Sequence, residues 1–225
     1  MHKNDTEYHN RRKSDFEKTQ KVEKFMDRIY SQLKYDVERI TDPHLQKKGV
    51  DIIHTLGDGT KLFVDEKFAI NYYNRDLYTY SFELASHNNV DNQGWFTSDN
   101  SITTHYMLLW FNCDDNFEKF SYFDIAYVPK QKIWNYLYSI GYTDTTLDEF
   151  RAYWESDNPK PKFGYYEKNN RRYYNLGNGI KIVQSMQFEK ECPINVVIPK
   201  DILIKIAYKH IVQKKKGWFL WKMKH

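Results

Sequence analysis

Cysteine is almost missing from this chain: Cys113 and Cys192 are the only two, far apart and outside any CxxC or Cys/His cluster. Neither a disulfide framework nor a structural zinc site is expected, and both read as buried thiols. Glycine and proline are scarce, nine and six in 225 residues, which excludes collagenous and low-complexity chains. No run approaches the ~18 apolar residues of a membrane-spanning helix. Met1 to Lys13 contain no apolar block of the kind a secretory signal carries, so a cytoplasmic location with no membrane partner is expected. The GxSxG, HExxH, GxGxxG and GxxxxGK[ST] patterns are absent as well. Acidic residues stop at Asp201, after which stand seven lysines, Lys205, Lys209, Lys214, Lys215, Lys216, Lys222 and Lys224. The net charge of +4 therefore divides into a basic end and a remainder of about −3, an asymmetry suited to meeting a polyanion.

What is abundant is aromatic surface. Tyr, Phe and Trp make up 17% of the chain and are spread along it, so most must be core. Residues 1–12 lack periodicity and read as disordered. From Ser14, a candidate N-cap, Val22, Phe25, Met26, Ile29, Tyr30 and Leu33 form one face of an amphipathic helix. Two β-rich runs around Gly57-Asp58-Gly59 predict a hairpin, and 78–85, 104–112 and 121–128 predict strands. Pro129 opens a helix that stops near Gly141, and Thr146-x-x-Glu149 starts another. A hairpin around Gly177-Asn178-Gly179, a strand over 195–198 and a helix from Pro199 complete the reading. No linker divides the chain, so 13–225 reads as a single α/β (α+β) domain ending in a basic tail.

The chemically informative residues sit in the first hairpin. With a three-residue loop centred on residue 58, Asp51 faces Asp65 across the ladder with Cβ atoms ~4.5–5.5 Å apart. Strand alternation returns Lys67 to the same face, whereas a two-residue loop would break the pairing. Two carboxylates ~5 Å apart repel by roughly 3 kcal/mol at an effective dielectric of 20, and one lysine does not offset both. A shared proton, exposure to solvent or a divalent cation would relieve them, and hard oxygen ligands suit Mg²⁺. Glu83 lies in a strand whose Tyr80, Phe82 and Leu84 would face the core, which makes it a candidate third acid. In the bland alternative Asp65 and Lys67 are a solvated ion pair.

Asp51 followed by Asp65-Glu66-Lys67, after a helix and within a strand hairpin, resembles the PD-(D/E)XK, or restriction-endonuclease-like, nuclease superfamily, in a bacterial or phage branch rather than a well-known restriction enzyme. The resemblance covers about 20–112 and departs from the motif's name at Val50, where the name has proline. It implies a mixed sheet flanked by helices, here with an additional C-terminal hairpin and helices. It also implies Mg²⁺ (or Mn²⁺) held by Asp51, Asp65 and Glu83, Lys67 serving the attacking water, and Gln46 and Glu66 flanking the site. The function implied is hydrolysis of nucleic-acid phosphodiester bonds, with DNA as the expected substrate; the alternative is a catalytically inactive nucleic-acid- or protein-binding module on the same fold. Many nucleases of this fold form homodimers to cut both strands. Lys214, Lys215, Lys216 and Trp218 interleave cations with aromatics, as a nucleic-acid-binding surface would. His87 and His105 flank Gly94-Trp95-Phe96, a segment that could cover the site, although isolated histidines are usually structural.

Overall fold

The amphipathic stripe becomes helix α1 (Lys3–Gln32) in the computed structural model, which describes residues 3–85, 93–156, 162–186, 192–214 and 218–223. Val22, Phe25, Met26, Ile29 and Tyr30 are all buried along it. The helix starts well before Ser14, which corrects the expectation of disorder for residues 3–12. That polar stretch contains no Gly or Pro, and extending an already anchored helix avoids the cost of nucleation.

The architecture is mixed α+β, built on two sheets. The larger contains β1 (Asp36–Arg39), β2 (Ile52–Thr55), β3 (Lys61–Phe68), β5 (His105–Cys113), β6 (Phe120–Pro129), β11 (Lys209–Lys214) and β12 (Trp218–Met223), side by side in that order. Only β3 and β5 run parallel; the other neighbours are antiparallel. The smaller sheet is wholly antiparallel, ordered β4 (Thr79–Ala85), β10 (Ile194–Pro199), β9 (Ile180–Ser185), β8 (Arg171–Gly177) and β7 (Tyr165–Lys168). The remaining helices are α2 (Pro43–Gln46), α3 (Lys130–Ser139), α4 (Thr146–Glu155) and α5 (Lys200–Ile206).

Strand β5 shows why the large sheet is central. Tyr106, Leu108 and Trp110 join one apolar cluster with the second sheet and α3–α5, while Met107, Leu109 and Phe111 join another with α1. Burial on both faces explains its near-continuous apolar sequence. Both cysteines are free and buried. The C-terminal basic segment is not a helix or a loose tail: β11 and β12 pair from Lys209↔Met223 to Lys214↔Trp218, and β11 lies against β6. Buried Asp124 on β6 pins this end of the fold, accepting from Lys200 Nζ at 2.7 Å and His210 Nε2 at 2.6 Å. Among the described residues no helix is long and apolar enough to cross a membrane.

Candidate active site

The hairpin register matches the three-residue loop: Ile52↔Val64, Ile53↔Phe63, His54↔Leu62 and Thr55↔Lys61. Asp51 stands just before β2, its N–H donating to the Val64 carbonyl at 2.9 Å and its carbonyl accepting from Ile40 N–H at 2.8 Å. The turn before it depends on Gly49, whose φ is +78°; a Cβ there would meet the Thr103 hydroxyl at 2.7 Å. That hydroxyl donates to the Gly49 carbonyl at 2.5 Å. Gln46 Nε2 donates to the carbonyl of Ile40, whose N–H binds the Asp51 carbonyl, so Gln46 braces the backbone beside Asp51.

One Asp51 carboxylate oxygen accepts the Glu66 backbone N–H at 2.7 Å. Asp65 is buried, and Lys67 Nζ sits 3.1 Å from its carboxylate. Lys67 also lies 5.5 Å from the Tyr106 ring centre. Burial raises the Asp51 pKa to about 7, the Asp65 charge adds to the rise, and the Glu66 N–H and Lys67 oppose it. A carboxyl at that value holds a proton near neutrality that a cation can displace.

Lys130 is a site neighbour that sequence reasoning missed. It opens α3, its Nζ lies 3.4 Å from Ser101 Oγ and 5.9 Å from the Phe96 ring centre, and it feels the Asp65 charge. Burial lowers its pKa while Asp65 pulls it back up. The available signal was a lysine directly after Pro129, where a strand passes into a helix. The 93–104 segment does wall this region: Phe96 packs on Tyr106 and Trp134, and Ser101 and Thr103 reach Lys130 and Gly49.

Two expectations, for Glu83 and Glu66, are corrected. Glu83 lies on β4, in the other sheet, with Phe82 and Leu84 fully buried, so alternation turns it to that sheet's outer face and away from the aspartates. Glu66 points to the α1 side of β3, where Arg39 Nη1 and the Tyr30 hydroxyl bind its two oxygens at 2.6 and 2.5 Å. His105 turns the same way, stacking on Tyr127, and burial lowers its pKa to about 4. His87, Lys215 and Lys216 lie outside the described residues, while Lys214 and Trp218 pair at one end of the β11–β12 ladder. The structure thus brings together Asp51, Asp65 and Lys67. Among the described residues no three His, Cys, Asp or Glu side chains group as a metal cage.

No family model matches the chain, and no curated protein or solved structure matches it.

Proposed function

We propose that the chain is a divalent-cation-dependent nuclease that hydrolyses phosphodiester bonds of DNA, as its resemblance to the PD-(D/E)XK superfamily implies. The observation that carries this reading is the joining of two poorly compensated aspartates, Asp51 and Asp65, with Lys67 on one face of a rigid hairpin. The order of helix α1, the β2–β3 hairpin and a mixed sheet supports the same fold family.

The donor set fits a hard cation. Mg²⁺ commonly takes only one or two carboxylates and keeps several waters, so Asp51 and Asp65 suffice without Glu83. When bound, such an ion supplies Lewis acidity and lowers the pKa of water. The residues do the rest. Asp51, its carboxylate oriented by the Glu66 N–H, would hold the ion together with Asp65 and would give up its proton to do so. Lys67, anchored by Asp65, donates to the attacking water and orients it toward phosphorus. Lys130 adds a second positive charge for the phosphate as negative charge builds up. The lysine-rich β11–β12 end contributes affinity without sequence preference.

A second reading, a catalytically inactive binding module on the same fold, draws on the position of Glu83 outside the aspartate pair. Titration calorimetry with Mn²⁺ separates the two. The nuclease reading expects binding by the wild-type chain and loss of it in Asp65→Ala, together with Mn²⁺-dependent cutting of DNA. No heat of binding by the wild type, or equal binding by the variant, overturns it.

A further inference from the structure

The outer face of the second sheet is built differently from an ordinary solvated face. In β9, Ile180, Ile182 and Gln184 are buried, so Lys181, Val183 and Ser185 face outward. The ladders extend that face: Val183 pairs with Tyr173 and Asn195, Lys181 with Val197, and Arg171 with Ser185. On the far strand Tyr166 pairs with Tyr173 and Lys168 with Arg171. The rings of Tyr166 and Tyr173 stack with centres 4.7 Å apart and planes within 6°. The result is an aromatic step flanked by cations.

A groove of about 830 Å³ runs from this face to the end of β3, with Lys67, Tyr72, Arg171, Tyr173, Lys181 and Asn195 along its walls; of the candidate site it touches Lys67 and neither aspartate. Glu66 is the only acid among the described lining residues, and Arg39 already neutralises it. Arg171 and Lys181 make no ion pair with any described residue. Its free cations are therefore Arg171 and Lys181, on the second-sheet wall, while Lys67 at the other end is paired with Asp65.

We propose that this groove binds single-stranded nucleic acid, stacking bases on the Tyr166–Tyr173 step and leading the backbone past Arg171 and Lys181 to Lys67. The occupant follows from complementarity. Lysine and arginine without partners meet phosphates, and flat rings meet bases. A duplex hides the faces of its bases inside the stack, so only an unpaired strand can use the tyrosines. The binding claim stands on the groove alone; that the strand is then cut rests on the nuclease reading.

Fluorescence anisotropy in EDTA tests binding without cleavage, using the full chain, a short labelled oligothymidylate, an oligouridylate and a duplex of equal length. We expect at least one of the single strands to bind roughly tenfold tighter than the duplex. Arg171→Glu with Lys181→Glu should weaken that binding at least tenfold and flatten its salt dependence, by about 0.7 in slope per lost phosphate contact. Tyr173→Ala should weaken it roughly tenfold, and Tyr173→Phe should restore it. Equal or tighter duplex binding overturns the proposal, as does unchanged binding by the charge variant. Exposed Lys168→Glu provides a second charge variant should the double one fail to melt like the wild type. A wild type that cuts DNA with Mn²⁺ while binding ignores the groove variants overturns the groove and leaves the nuclease reading standing. Binding that follows the groove with no cutting supports the groove and removes the nuclease reading.

Discussion

Asp65 and Glu66 are neighbours in sequence and opposites in circumstance. Glu66, on the α1 side of β3, meets the Arg39 guanidinium and the Tyr30 hydroxyl, and Arg39 in turn meets Asp27. Both Glu66 oxygens are bound, although the one guanidinium is shared with Asp27. Asp65, on the other side, has Lys67 as its one ion-pair partner, with a second, half-buried carboxyl, Asp51, beside it. The same strand thus carries on one face an acid bound at both oxygens and on the other two acids beside a single ion-pair lysine. An acid bound at both oxygens belongs to folding, whereas two acids beside one lysine are poised to take a cation.

The sharpest way to break this contrast is to neutralise each acid in turn. Asp65→Asn should lower Mn²⁺-dependent cleavage by ~1000-fold, since several kcal/mol of transition-state stabilisation depend on the cation. Its unfolding free energy in EDTA should stay within about 1 kcal/mol of wild type, measured by urea titration. A larger destabilisation would make Asp65 a structural ion-pair partner like Glu66.

Glu66→Gln should do the reverse. Weakening the charge-assisted bonds from Arg39 and Tyr30, with Asp27 still on Arg39, costs about 2–3 kcal/mol, readable as a lower urea midpoint, while the folded fraction cleaves at nearly the wild-type rate. Loss of cleavage without loss of stability would erase the distinction between the two faces.

Asp51→Asn gives a smaller effect whose pH dependence is diagnostic. The Asp51 carboxyl rises from 3.8 to about 7 on folding, so the folded state keeps a proton that the unfolded chain releases between these values. Its contribution to stability therefore falls as pH rises through that window and is constant outside it. The asparagine variant, which can still accept the Glu66 N–H, should exceed wild type by about 2 kcal/mol at pH 8 in EDTA and match it below pH ~4. A variant no more stable at pH 8 would mean that neither burial nor the Asp65 charge disfavours the Asp51 carboxylate.

Much of this contrast is legible in the amino-acid sequence. The Gly57-Asp58-Gly59 turn sets the register, and alternation puts Asp65 and Lys67 on one face, as the Ile52↔Val64 and Thr55↔Lys61 pairs bear out. The apolar stripe of α1 is equally plain. The place of Glu83 was hidden because the Tyr80, Phe82, Leu84 alternation defines a buried face without saying which sheet supplies the neighbours. Lys130 was hidden because it reaches Asp65 through the β5–β6 antiparallel ladder, a relation that leaves no local pattern. The β11–β12 hairpin was masked by its lysine run, which reads as a solvated tail although Ile211 is buried against the α1-side core.

Strand β4 has a further consequence, for the order in which the molecule assembles. Its only ladder partner among the described strands is β10, with Tyr80 opposite Ile198, so the pairing closes a loop of more than half the chain. Until residues 194–199 have been synthesised, Phe82 and Leu84 lack that cover, and the groove lacks Asn195 and Val197. Contacts of such long sequence separation make folding slow. A nascent or truncated chain can close the Asp51–Asp65 hairpin early, yet it completes the wall that leads to Lys67 only once residue 199 has been made.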